Sequence, residues 1–246
     1  MTYHLGVNMS SPDFFLDSSR GVYNNVSSVH KFGAVPAMSQ NQSGTIWDIN
    51  DTDYPWSSWS TATTVTVDRA SASDADKQIV IEGLDSNYEP ASDTVTLTDA
   101  TGNASTQSFI RVFRAYMHDD SATNVGNIDI KVSTTTVARI TAEKGQTLMA
   151  VYTVPAGHSA YLMKAVATCQ DGADATGDMF IRYFGETSFR IGHTFEVCGD
   201  GGPYEHSFGV PFKVPSKSDI DVRASVRSNN ARITAAFDII LISDKS

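Results

Sequence analysis

Beyond residue 60, hydrophobic positions recur every second residue in short runs separated by polar clusters. Residues 64–67 (TVTV), 94–98 (TVTLT), 127–132 (NIDIKV) and 219–227 (DIDVRASVR) alternate in this way. A period of two gives each run one apolar face and one wet face, the pattern of a half-buried β-strand. Residues 109–117, 148–154, 160–167, 179–184 and 235–242 are apolar on both sides. Such runs suit central strands covered on both faces, or strands whose outer face meets a neighbouring subunit.

Turn chemistry separates the runs: DATGN at 99–103, NVGN at 124–127, QDG at 170–172 and GDGGP at 199–203. Glycine there supplies positive φ, and Asp or Asn caps the turn. Helical periodicity is nearly absent. Residues 68–78 have room for one helical turn, but their Ser and Asp content favours a loop or a cap. No fixed period repeats, which argues against a solenoid or propeller. The pattern predicts an all-β fold, an antiparallel β-sandwich over residues 61–246, with room for two subdomains meeting near 143–146. Residues 1–60 are irregular and dense in Ser, Asn and Asp, with short apolar pieces at 26–35 and 45–49. They are expected to form an irregular N-terminal arm with short strands.

At 246 residues the chain is long enough for one large sandwich or two small ones. Its net charge of −10 offers nothing overall to a phosphate backbone or an anionic membrane. Neither nucleic acid nor membrane is therefore expected as a partner. No run of 18 apolar residues and no signal-like start are present, so a soluble chain made in a cytosol is expected. Cys169 and Cys198 are too few for a disulfide framework and are expected as buried or partly buried free thiols.

Several groupings bear on chemistry. His158 and Ser159 are adjacent, so strand alternation sends them to opposite faces and no triad is expected. The acidic stretches at 48–53 (DINDTD) and 171–178 (DGADATGD) have oxygen donors at alternating positions. They lack the glycine and closing glutamate of a calcium loop, and solvated loops are expected. His193, Cys198 and His206 match no closed zinc spacing. Arg111, Arg114, Arg182, Arg190, Arg223, Arg227 and Arg232 lie in or beside strands, where guanidinium groups suit interface ion pairs with carboxylates or simply line a wet face. Tyr54, Trp56 and Trp59 concentrate aromatic rings in a polar segment. They are candidates for interface anchors, or for a clip pinning the arm to the body, ahead of a sugar platform. No catalytic residue, metal or cofactor is expected, and the chain is read as a non-enzyme.

The stretch QTLMAVYTVPAGHSAYLM at 146–163 reads as a hairpin, with a strand, a Pro-Ala-Gly turn and a second strand. Together with FKVPSKSDIDVRA at 212–224 and the final AAFDIILI run, it resembles structural proteins of tailed bacteriophages, especially those of marine bacteria. The resemblance covers about the last 100 residues. It implies a virion component such as a capsid decoration (cement) or minor head protein, with a jelly-roll-like sandwich and a trimeric assembly. It further implies partnership with the major capsid protein or other virion proteins, and assembly in the host bacterial cytoplasm. Two alternatives stand beside it: a head or tail appendage that recognises host-surface glycan, and a jelly-roll glycoside hydrolase.

Overall fold

The computed structural model describes residues 14–118, 123–170, 172–198, 202–227 and 230–244. A short helix, α1 (Phe14–Ser19), precedes sixteen strands. The first nine are β1 (Val26–Met38), β2 (Ser43–Thr45), β3 (Thr63–Arg69), β4 (Gln78–Leu84), β5 (Pro90–Thr96), β6 (Asn103–Phe109), β7 (Arg111–Met117), β8 (Ile128–Val132) and β9 (Thr135–Ile140). The remainder are β10 (Val151–Thr153), β11 (His158–Cys169), β12 (Ala175–Arg182), β13 (Arg190–Val197), β14 (Tyr204–Val214), β15 (Asp219–Val226) and β16 (Ala231–Ser243).

These strands build two antiparallel sandwiches. In the first, one sheet has the order β1-β16-β11-β14, and the facing sheet has β10-β15-β12-β13 with β2 also paired to β15. The second comprises β6-β3-β8-β9 and β5-β4-β7. Period-two burial drives both. Ala231, Ile233, Ala235, Phe237, Ile239 and Leu241 of β16 point inward, to meet Ile220, Val222, Ala224 and Val226 of β15 in the first core. Val65 and Val67, Ile79 and Ile81, and Ile128 and Ile130 do the same for the second.

The register shows how the two are joined. β2 lies against Arg223–Ser225 of β15, while β10 lies against Asp219–Asp221 of the same strand. They are two halves of one broken strand. The chain leaves at the break, forms the second sandwich with β3 to β9, and returns to the first between Ile140 and Val151. Backbone bonds close the cut: Ile46 N–H donates to Val222, Val222 N–H to Ala150, and Ala150 N–H to Ile46.

With β2 and β10 counted as one, the first sandwich has eight strands in the orders 1-8-3-6 and 2-7-4-5. Strands 1 and 8, 2 and 7, 3 and 6, and 4 and 5 are antiparallel partners, as in one long hairpin rolled into a double sheet. That is a jelly roll.

Two expectations need correction. Residues 26–60 are not an arm. β1 pairs residue by residue with β16, from Val26 opposite Ile242 to Met38 opposite Ala231, and residues 46–59 contribute to the second core. The part of the expected arm over residues 1–13 lies outside the described residues. The Pro-Ala-Gly turn does not close a hairpin either. β10 belongs to one sheet and β11 to the facing one, so residues 155–157 form an arch between layers, with Gly157 at φ +68°.

β1 passes so close beneath the strand break that only glycine fits there. A Cβ on Gly33 would lie 2.2 Å from Ile46 O and 2.4 Å from Ala150 N, both backbone atoms. Gly33→Ala is expected to destabilise the protein by about 3 kcal/mol or more, since the backbone must separate where three strands converge. Urea denaturation of the purified variant measures this.

Candidate functional site

Tyr54, Trp56 and Trp59 come together, but not at the surface: they are 2 %, 8 % and 4 % exposed. They pack with Trp47 in the second core, Tyr54 lying 5.4 Å from Trp47 and 4.6 Å from Trp56, centroid to centroid. Their polar atoms bond inward. Trp59 Nε1 donates to Tyr54 Oη (2.8 Å), Tyr54 Oη donates to Val112 O (3.0 Å), and Trp56 Nε1 donates to Asp221 Oδ2 (2.8 Å). Rings this buried do not present themselves to a partner as surface anchors, and with residues 26–60 folded into the sheets there is no arm for them to clip. The rings fasten residues 46–59 between the two sandwiches.

Beside these rings runs a ladder of buried charge. Asp219, Asp221 and Arg223 occupy alternate positions of β15 and so share the face turned away from the jelly-roll core. The sequence pattern suggests a wet face there, yet Asp219 is 2 % and Asp221 0 % exposed, Asp219 beneath Arg111 and Arg182 and Asp221 beneath Thr45 and Trp56. Asp219 takes both Nε and Nη2 of Arg111 (2.9 and 3.1 Å), both Nε and Nη2 of Arg182 (3.0 and 2.6 Å), and the Thr153 hydroxyl (2.6 Å). Asp221 accepts from Thr45, Trp56 and Arg223, each at 2.8 Å. Burial pushes the Asp221 carboxyl above its ordinary value, against the pull of Arg223, Trp56 and Thr45. Burial opposes the Arg111 charge, but the hydrogen bonds and charge of Asp219 outweigh it and raise the pKa. Arg182 and Arg223 also stack on Phe189, 4.8 and 5.1 Å from its centroid. Arg111, Arg182 and Arg223 make their ion pairs within the chain and not across an interface. Their arrangement cements Arg111 of the second sandwich to β15 of the first.

The other groupings mostly disperse. The carboxylates of 48–53 point apart: Asp48 holds Thr141 and Leu148 N–H, Asp51 holds Ser39, and Asp53 holds Arg223. Asp171 lies outside the described residues. Ser159 donates to Asp244 while His158 Nδ1 faces Ala156 O. Cys169 is half-buried and Cys198 exposed, and both are free thiols. His193 and His206 do meet, rings 4.5 Å apart, with His193 Nε2 2.5 Å from Tyr204 Oη. Burial, then the neighbouring His206, lowers the His193 pKa. Among the described residues no group of three or more His, Cys, Asp or Glu is placed to hold a metal, and no helix is long and apolar enough to cross a membrane.

An exposed apolar edge emerges instead. β13 and β14 are the edge strands of the two facing jelly-roll sheets. On or beside them Phe184 and Ile191 are each 59 % exposed, and Val210 is 86 % exposed. β14 bulges outward: Leu162 and Lys164 of β11 face Phe212 and Ser207, so residues 208–211 stand out of register with Val210 at their tip. A bulge holding Pro211 blunts the strand edge against indiscriminate pairing, while leaving its apolar tip available. The sequence signal, FGVPF, was present but reads equally as a buried strand.

No family model matches the chain, and no curated protein matches it. Weak likenesses to solved structures exist. They include infectious bursal virus derived T=1 particles, with 8 % identity and a TM-score of 0.22 over 89 % of this chain and 70 % of that one. Another is the Gx strain of infectious bursal disease virus, with 10 % identity and a TM-score of 0.22 over 90 % and 71 %. A third is the VP2 subviral particle of that virus, with 9 % identity and a TM-score of 0.22 over 89 % and 73 %. Scores this low fall short of a shared topology, and function is better read from this chain's own strand order and surface.

Proposed function

We propose that the protein is a non-enzymatic structural component of a virion, a decoration or cement protein on the head shell of a tailed bacteriophage. The observation that carries this reading is the jelly-roll strand order with a second sandwich inserted at one strand. Viral coat domains are among the recurrent users of that architecture, which makes the step an analogy of fold. The tailed-phage resemblance of residues 146–163 and 212–242 points the same way. The two sandwiches are locked by the Asp219 and Asp221 ladder, as suits a rigid part of a shell. Ile191 and Val210 supply the contact with shell proteins, and a lattice of equivalent sites favours a symmetric oligomer, most simply a trimer.

Cryo-electron microscopy of particles assembled with the protein tests its position on the shell. Ile191→Asp and Val210→Asp are exposed changes, expected to leave the melting temperature within the small range of surface substitutions. They should abolish co-sedimentation with shells. Retention of the double variant on shells would refute this surface as the point of attachment. A second reading, glycan recognition, is favoured by the aromatic His193, His206 and Phe208 grouping beside that edge. Saturable binding on a glycan array, lost in Phe208→Ala, would favour it instead.

A further inference from the structure

A cleft of about 380 Å³ opens where β1 of the jelly roll faces β4 and β7 of the second sandwich. Its size falls within the usual range for small-ligand sites. Lys31 lines it and is 8 % exposed, with Nζ 2.5 Å from Phe113 O as its one hydrogen bond among the described residues. An ammonium has three donors, so a single carbonyl leaves it undersatisfied for so buried a charge. Phe113 and Tyr152, their ring centroids 5.1 Å apart, pack on each other and together form one aromatic wall.

The charges facing Lys31 set the class of ligand. Arg114 and Glu82 also line the cleft and pair with each other at 3.3 Å, Glu82 further accepting from Tyr116 Oη at 3.4 Å. His30, at the rim, is paired with Asp238. Arg114 and Glu82 cancel, and His30 is engaged by Asp238 outside the lining, so the charge among the lining side chains without a partner of opposite sign is the Lys31 ammonium. A single anionic group satisfies that balance, whereas a dianion would meet Glu82 with excess negative charge.

We propose that this cleft binds a monoanionic carboxylate carried on an apolar or aromatic body, with the carboxylate on Lys31 and the body against the wall formed by Phe113 and Tyr152. The site is independent of the virion reading, and nothing in it requires chemistry beyond binding. The carboxylate could be that of a free small acid or of a polypeptide C-terminus.

Isothermal titration calorimetry on the full-length protein at about pH 6.5 separates these cases. The probes are 3-phenylpropionate and N-acetylphenylalanine, with their amides as neutral controls and phenylmalonate as the dianion. Saturable binding of the monoacids is expected, with the amides and the dianion weaker by about tenfold or more. Lys31→Met should cost the acids a similar factor while its melting temperature shows the fold retained. With wild type, acid affinity should fall by about tenfold per pH unit above about 7, as the free lysine loses its proton. Tighter binding of N-acetylphenylalanine assigns a chain terminus, and tighter binding of 3-phenylpropionate assigns a free acid. Equal binding of acids and amides, undiminished acid binding by folded Lys31→Met, or no saturable acid binding would each overturn the proposal.

Discussion

The stability of this protein is expected to pass through a minimum near neutral pH, where most proteins are close to their best. Two buried groups cause it. Burial, reinforced by Arg114 and only partly offset by Glu82, lowers Lys31 from 10.5 to about 7. Burial raises Asp48 from 3.8 to about 7, outweighing its hydrogen bonds from Leu148 N–H and Thr141. For Asp48 the folded state holds its proton more tightly than the unfolded state. Stability therefore falls as pH rises from about 4 to about 7, by about 1.4 kcal/mol per unit at most. For Lys31 the unfolded state holds the proton more tightly, so stability climbs again between about 7 and about 10.5 at a similar slope. Asp221, also raised by burial, adds to the first limb, and part-exposed His193, lowered by burial, opposes it more weakly. The buried hydroxyls of Tyr54 and Tyr152, both pushed above the ordinary tyrosine value, end the second limb as unfolded tyrosines ionise. Urea midpoints from pH 4 to 10 read the curve directly. Lys31→Met should flatten the alkaline limb and raise stability at pH 7 by about 2 to 4 kcal/mol. A maximum at neutrality in wild type would contradict the buried placement of both groups.

Lys31 also illustrates what the chain does not disclose. Strands with local partners were plain in the pattern: TVTV at 64–67 lies in β3, NIDIKV at 127–132 in β8, and the final apolar run in β16. Their alternation reports a core a few residues away. β1 was hidden because VSSVHKFGAVPAM turns a lysine inward, has Gly33 at a close backbone approach, and carries Pro36 where the register shifts between Val35 and Met38. Its partner lies at the far end of the chain, His30 opposite Asp238, and no local signal announces so distant a pairing. The aromatic cluster was half legible. Clustered Trp and Tyr said that something was anchored, but burial depends on the inserted sandwich closing over them. The cleft of Lys31, Arg114 and Glu82 draws on β1, β7 and β4; β4 and β7 are sheet neighbours, but β1 meets them only through the insertion at the break between β2 and β10.

Removing the Asp219 carboxylate should produce the largest single loss of stability. It faces two guanidinium groups and a hydroxyl, and the Asp219 and Arg111 side chains are only 4 % and 7 % exposed. In Asp219→Ala, Arg111 keeps the carbonyls of Ile110 and Trp59 as acceptors but has no anion, and Thr153 loses its acceptor. Stripping one partner from a buried pair costs about 3 to 5 kcal/mol. An exposed pair such as Lys164 with Glu205, screened by solvent, contributes little by comparison. The position of the buried pair adds a second consequence. Arg111 belongs to the inserted sandwich and Asp219 to the jelly roll, so the variant should also loosen their coupling. Scanning calorimetry of Asp219→Ala is expected to show a lower melting temperature and an unfolding transition broadened or split in two, against a single transition for wild type. Adding Arg111→Met removes the stranded cation, and the double variant should be less destabilised than the sum of the two single changes. Strict additivity would mean that the two side chains do not act on each other, and the ladder would then have no part in joining the sandwiches.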